Sequence, residues 1–182
     1  MVADFPFAFP RHAIVRRTMP NPRDCLCCSG LLYTNCCAPF HRGLREAPSA
    51  EALMRSRFSA YANKLVPYVY RTLHAEHEDK KRPEAKVLRE IRDATSSLRF
   101  MRLVVLDRRD ADEHGVARVL FFARVFEKGK NRSFLELSDF LHDGTGWRYL
   151  RGQQEPASEV TNPEQIDIPK FEAMLESFDD MK

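Results

Sequence analysis

The chain has 182 residues, 43% apolar and 30% charged, which suits one globular domain with attached pieces better than two full domains. Thirteen Phe, five Tyr and one Trp supply bulk for a core, so a disordered tail is excluded; seven Gly without a Gly-X-Y period exclude collagen, and no apolar run approaches the roughly 20 residues of a membrane helix. The formal charge of +3 conceals a division, because residues 1–152 carry 27 Lys+Arg against 18 Asp+Glu, a net +9, while residues 153–182 carry 2 against 8, a net −6.

Residues 1–24 contain Pro6, Pro10, Pro20 and Pro22, too closely spaced for a long helix or a central strand, and read as an irregular arm. The start lacks a charged region followed by an unbroken apolar core and a small-residue cleavage site, so it is not a secretion signal, and a reducing cytoplasm is expected. All five cysteines follow within thirteen residues: Cys25, Cys27, Cys28, Cys36 and Cys37. A disulfide framework joins distant segments, so this concentration points to a metal. Cys25-Leu-Cys27 and Cys36-Cys37 are two thiol pairs with eight residues between them, enough chain to bring four sulfurs round one tetrahedral Zn²⁺. Ser29-Gly30 supplies the turn, because glycine takes positive φ without steric cost. His41 and Cys28 are the substitutes available for one sulfur. A closed set of four ligands is structural, and the ion would supply most of the folding free energy of so short a segment.

Beyond the polar stretch 42–48, Ser49 is placed to cap a helix with Leu53, Met54, Phe58, Tyr61 and Leu65 on one face. Pro67 starts a second short helix through Val69, Tyr70 and Leu73. His74 to Pro83 reads as an exposed loop, and Glu84 to Ala94 as a helix with Val87, Leu88 and Ile91 inward. The period then changes. Leu98–Leu106, Val116–Glu127, Arg132–His142 and Trp147–Arg151 are β-branched and aromatic, separated by the turn-forming DADEHG, KGKN and HDGTG, which predicts a four-stranded antiparallel meander. The fold class is α+β, with helices packed on one face of a curved antiparallel sheet. In the acidic tail, Asn162-Pro163 is positioned to open a short helix with Phe171, Met174, Leu175 and Phe178 on one stripe, which docks on its own domain or on a second copy.

At Cys25-Leu-Cys27-Cys-Ser29-Gly30, Tyr33, Cys36-Cys37, His41 and Gly43 the sequence resembles the SEC-C metal-binding motif, known from the C-terminus of the SecA translocase. Glu51-Ala-Leu-Met-Arg-Ser-Arg-Phe-Ser-Ala-Tyr61, Arg71-Thr-Leu-His74, Phe100 to Asp107, Val119 to Ala123, Leu135 to Phe140 and Trp147 through Gly152 resemble the middle domain of the YchJ family of small bacterial proteins. The resemblance implies a cone-shaped domain of the nuclear transport factor 2-like (cystatin-like) type over 48–152, preceded by a zinc knuckle over 25–43. It implies Zn²⁺ at Cys25, Cys27, Cys36 and Cys37, with Fe²⁺ the other cation such a site takes. By analogy with the SecA motif it implies a protein partner, a SecB-like chaperone or the ribosome. The family usually has Pro and Gly where this chain has Leu26 and Cys28, so the turn is less preorganised.

Two classes of function follow. The first is a non-enzymatic metal-binding adaptor; the second is a small-molecule-binding protein or enzyme that uses the interior of the cone. For the second, His74, Glu136 and Asp139 are the polar candidates, with Arg55 or Arg57 as ion-pair partners. Glu136 and Asp139 lie three positions apart, so on a regular strand only one points inward. An interior filled by Phe and Leu favours the adaptor, and an open pocket holding Glu136 or His74 favours the alternative. Arg55, Arg57, Arg71, Arg102, Arg108, Arg109, Arg118 and Arg124 would bind nucleic acid only if clustered on one face, and ordinary solvated arginine is the preferred reading.

Overall fold

The computed structural model describes residues 24–179, so the Pro-rich arm lies outside the described residues except for Asp24, as does the side chain of Phe178. Helices α1 (Ala38–His41), α2 (Ala50–Ala62), α3 (Val66–Arg71) and α4 (Glu84–Ser97) precede strands β1 (Leu98–Arg109), β2 (Ala117–Glu127), β3 (Lys130–Asn131), β4 (Phe134–His142) and β5 (Trp147–Pro156), and helix α5 (Ile168–Asp179) closes the chain. The sheet is antiparallel in the order β1-β2-β4-β5, with the two-residue β3 paired to β2. No helix among the described residues is long and apolar enough to cross a membrane.

The local sequence explains several of these boundaries. Ser49 Oγ accepts the Ala52 N–H at 3.1 Å and starts α2, with Glu51 at the positive end of the helix. Pro67 sits in the first turn of α3, where its missing N–H costs nothing. Lys128 and Gly129 both take positive φ, 47° and 82°, and so form the tight turn between β2 and β3. Register shifts at Phe100/Arg102 and Val105/Asp107 on β1, and at Leu150 of β5 opposite Asp139/Phe140, mark bulges of the kind that bend strands.

Strand β2 is buried on both faces. Val119, Phe121, Ala123 and Val125 point to the concave face and meet Leu53, Met54 and Phe58 of α2, together with Leu103 and Phe140. Leu120 and Phe122 point the other way, with Leu135 and Leu137 of β4, and are covered by Val160, Ile168 and Phe171 of the tail, flanked by Met174 and Leu175. The tail stripe therefore docks on its own domain.

Four local expectations need correction. Strand β5 continues past Gly152 to Pro156, pairing with β4 as far as Phe134; as an edge strand it needs little apolar side chain, so Gln153-Gln154-Glu155 carries no strand signal. Helix α4 extends to Ser97 and passes directly into β1. His77, in the segment read as exposed, is buried, with its ring 5.5 Å from that of Tyr149. Helix α5 starts at Ile168 rather than near Asn162. Asp167 Oδ1 accepts the Lys170 N–H at 3.1 Å and Asp107 Oδ2 of β1 accepts the Ile168 N–H at 3.0 Å, whereas Asn162 takes φ 51° in a separate turn.

The hairpin between β4 and β5 is pinned by Asp143, whose Oδ1 accepts from the Thr145 and Gly146 N–H groups at 2.8 and 2.9 Å and whose Oδ2 meets Arg148 Nε at 2.8 Å. Partial burial pushes this carboxyl up, but the Thr145 and Gly146 bonds and the Arg148 charge outweigh it and hold the pKa down to about 2. A depressed native pKa gives stability that is present above the ordinary 3.8 and lost as the pH falls through about 2. Asp143→Asn is therefore expected to lower stability by about 1 kcal/mol in urea unfolding at pH 7, with the difference from wild type shrinking at pH 2.

Candidate metal centre and the neighbouring cavity

Residues 24–43 form a small lobe against α2. Asp24 and Leu32 bridge in antiparallel fashion, the Cys25 N–H donates to the Leu31 carbonyl at 2.8 Å, and Gly30 turns the chain with φ 77°. The second thiol pair arrives on a 3-10 turn over Tyr33–Asn35 that runs into α1, with Cys37 capping that helix. The Sγ atoms of Cys25, Cys27, Cys36 and Cys37 all lie within 4.8 Å of one another. The Cys27–Cys36 and Cys36–Cys37 separations are 3.5 and 3.8 Å. A zinc tetrathiolate with Zn–S bonds of about 2.3 Å has sulfur–sulfur edges of about 3.8 Å, so the donor set and its size fit such an ion. Cys25, Cys27 and Cys37 are buried, and Cys36 is half-buried.

Hydrogen bonds from Cys27 and Cys37 hold Cys25 far below the usual thiol range, and the same bonds push Cys27 up to about 12 and Cys37 upward as well. A divalent cation is bound by thiolates, so any thiol proton is displaced and binding should release acid.

Neither substitute sits with the four sulfurs. His41 Nε2 donates to the Ser56 carbonyl at 2.9 Å, which leaves Nδ1 to accept from Tyr33 O–H at 2.8 Å; both nitrogens are occupied in bracing the lobe to α2. Burial lowers the His41 pKa and keeps the ring neutral for this role. Cys28 is exposed, with φ 60°, and its sulfur accepts the Leu103 N–H of the edge strand β1 at 3.3 Å. A left-handed φ is uncommon for a residue other than glycine. Arg55, proposed as partner of a buried carboxylate in the cone, instead pairs with Glu51 and donates to the Cys27 carbonyl at 3.2 Å.

Helix α2 presents Arg55, Ser56 and Ser59 to the cysteine lobe and Met54, Arg57, Phe58 and Tyr61 to a cavity of about 330 Å³ beneath it. The interior is open and contains Glu136. Oε1 of Glu136 accepts from Ser138 Oγ at 2.6 Å and Tyr149 O–H at 3.0 Å, and burial pushes its carboxyl pKa up. Asp139 is on the opposite face, between Arg118 at 3.2 Å and Arg151 at 2.9 Å, as strand alternation requires. His74 does not reach the cavity; its Nδ1 accepts the Glu76 N–H at 3.2 Å in a turn. Arg57 does line it, but donates to the Val69 carbonyl at 2.7 Å and Thr72 Oγ1 at 2.6 Å rather than to a carboxylate. Sequence reading missed Tyr149 and Gln154 as members of the polar group, because both belong to an edge strand without clear alternation.

Arg102, Arg108, Arg109 and Arg118 each pair with a carboxylate, and Arg71 lies over the Tyr68 ring and bonds the Phe40 carbonyl. The four paired arginines therefore lie among acids, and Arg71 lies on a ring and a carbonyl.

The family described as YchJ, middle NTF2-like domain, matches residues 49–152. A UPF0225 protein of Serratia proteamaculans is 32% identical over 133 residues, covering 72% of this chain and 83% of that protein. A UPF0225 protein of Deinococcus radiodurans is 54% identical over 55 residues, 30% of this chain, and the match spans 42% of that relative's length. Among solved structures, a SEC-C motif containing protein from Rhodopseudomonas palustris superposes with a TM-score of 0.62 at 32% identity, covering 71% of this chain and 96% of that one. A SEC-C motif containing protein from Psychrobacter arcticus gives 0.57 at 25% identity, covering 68% and 72%.

Proposed function

The chain belongs to the YchJ family with its nuclear transport factor 2-like middle domain, and from that premise we propose that it is a metal-binding adaptor whose SEC-C knuckle holds Zn²⁺ and presents a surface to a protein partner. The observation that carries this reading is the four-sulfur cluster of tetrahedral size, with no place kept for a reactive water, on a lobe whose outer surface exposes Leu26, Leu31 and Leu32 at 46%, 55% and 41%. A closed thiolate set shapes a segment rather than performing chemistry. Fe²⁺ is the competing occupant, and a reducing cytoplasm is the compartment that keeps five such thiols free.

The SEC-C resemblance supplies the partner class: a SecB-like chaperone or the ribosome. Purified wild-type protein, Leu31→Asp and Cys25→Ser are to be compared for binding to a SecB-type chaperone by calorimetry and to ribosomes by sedimentation. Saturable wild-type binding to one of them, weakened at least tenfold by either change, is expected. Binding indifferent to both changes would detach the knuckle from recognition, and no binding to either would remove this partner class.

A second reading rests on the open cavity. A filled cone would leave the adaptor alone, whereas this interior keeps about 330 Å³ beside a half-buried carboxylate, which suits a small-molecule site. Because the cavity and the cysteine lobe use different faces of α2, one protein can carry both.

A further inference from the structure

The polar wall of the cavity depends on an absent side chain. A Cβ on Gly152 would lie 2.5 Å from Glu136 Oε1 and 2.6 Å from the Tyr149 hydroxyl, so the carboxylate and the phenol meet in space that only glycine leaves open. Gly152 needs no positive φ here; the requirement is room for the polar group.

Acceptor capacity on that wall is uneven. Oε1 of Glu136 already takes two O–H donors, while Oε2 is reached by Gln154 Nε2 alone, at 3.3 Å. A carboxylate has about four acceptor positions, so Oε2 retains capacity. Arg132, the other cation on the lining, pairs with Glu127 at 3.3 Å, which leaves Arg57 to balance Glu136 within the wall. The Arg57 guanidinium, itself buried, lies 4.6 Å from the centroid of the Tyr149 ring that donates to Glu136, so one positive and one negative group face each other through the phenol. A charged ligand would upset that balance in a low-dielectric space, and a neutral one would not. The remaining lining is mostly apolar, with rings beside Met54, Leu98 and Val125: Phe58 meets Phe100 edge-on at 5.5 Å, and Phe121 meets Phe134 at 6.1 Å. Such walls accept a further ring by edge or offset contact. The volume is near the lower end of the roughly 300–1,000 Å³ of small-molecule sites, which limits the guest to a small ring system.

Resting on the cavity reading above, we propose that the cone binds a neutral, largely aromatic small molecule that donates one hydrogen bond, from a hydroxyl or a ring N–H, to Oε2 of Glu136. Arg57, Tyr149 and Gly152 are positioning residues for that acceptor.

Two probes of similar shape, 2-naphthol and 2-methylnaphthalene, are to be titrated into the full-length protein by calorimetry at pH 7.5. The methyl compound is the more hydrophobic, so a merely apolar hole would prefer it. The expected result is 2-naphthol binding about tenfold tighter, the size of one hydrogen bond to a charged acceptor. In Glu136→Met that preference should vanish while 2-methylnaphthalene affinity stays within about threefold. Should the variant fail to fold, amide shift changes on adding 2-naphthol to wild type decide: they are expected at Ser138 and Gly152, and changes confined to other sites reject the assignment. Equal or reversed affinities in wild type, or a naphthol preference that survives in folded Glu136→Met, overturn donor recognition while leaving a cavity that binds. No saturable binding of either probe overturns this proposal and the cavity reading together.

Discussion

Exhaustive chelation is expected to unfold residues 24–43 while the five-stranded sheet persists. The lobe has little else to hold it. Its own cluster is Cys25, Cys27 and Cys37, with Tyr33 and Cys36 packed beside them, so four of those five side chains are the proposed ligands themselves; otherwise only Ala38, buried in α1, and Phe40, packed beside Tyr68 and Val69, tie it to the rest of the domain. Structural zinc contributes about 10–16 kcal/mol in small cysteine-ligated peptides, far more than the His41 brace or the Arg55 bond to the Cys27 carbonyl, at about 1–3 kcal/mol each. Hydrogen exchange at the Cys25 N–H, which donates to Leu31, should pass from protected to fast on chelation, while the amides of β2 stay protected. Elemental analysis should give one zinc per chain in wild type and close to none in Cys25→Ser and Cys36→Ser. A metal content unchanged in both variants would reject the four-sulfur site. Loss of the lobe should also uncover the Leu103 N–H on the edge of β1, which Cys28 now covers, and so raise the tendency of that edge to pair with another chain.

The parts of the molecule legible in sequence are those in which a single physical rule acts alone. The thiol spacing leaves few arrangements but a cluster, Ser49 before an amphipathic run can do little but cap it, and the offset between Glu136 and Asp139 settles that they part across the sheet. The misreadings occur where two rules compete. His41 has the right distance from Cys37 for a ligand, but it also faces a helix carbonyl and a phenol, and these take both of its nitrogens. His77 is in a charged segment yet packs on Tyr149, a contact made across 72 residues of chain that local polarity cannot reveal. Arg57 looked like a partner for Glu136 and reaches it only through an aromatic ring. The start of α5 depends on Asp107 of a strand sixty-one residues earlier, so the local Asn162-Pro163 signal was the wrong one.

Ending the chain at Pro156 should have the second largest consequence. That deletion strips Val160, Ile168, Phe171, Met174 and Leu175 from the convex face and leaves Leu120, Phe122, Leu135 and Leu137 open to water as one patch on adjacent strands. Ile168 and Phe171 are fully buried, and removing a buried Phe side chain alone costs about 3–5 kcal/mol, so Phe171→Ala should lower the melting temperature clearly, and the truncation more so. The ions that decorate the same contact are weaker. Glu172 bridges Arg109 and Arg118, but all three are partly exposed, so Glu172→Ala should cost no more than about 1 kcal/mol. The ordering Glu172→Ala, Phe171→Ala, truncation thus separates hydrophobic cover from charge neutralisation, although the tail's net −6 against the body's net +9 makes electrostatics the more obvious guess. Sedimentation velocity gives the second reading: full-length protein and Glu172→Ala should behave alike, while the truncated chain should associate, because an apolar sheet face of that extent finds another like it. A truncated chain that sediments as full-length protein does and melts at the wild-type temperature would show that α5 lies on the sheet without holding it.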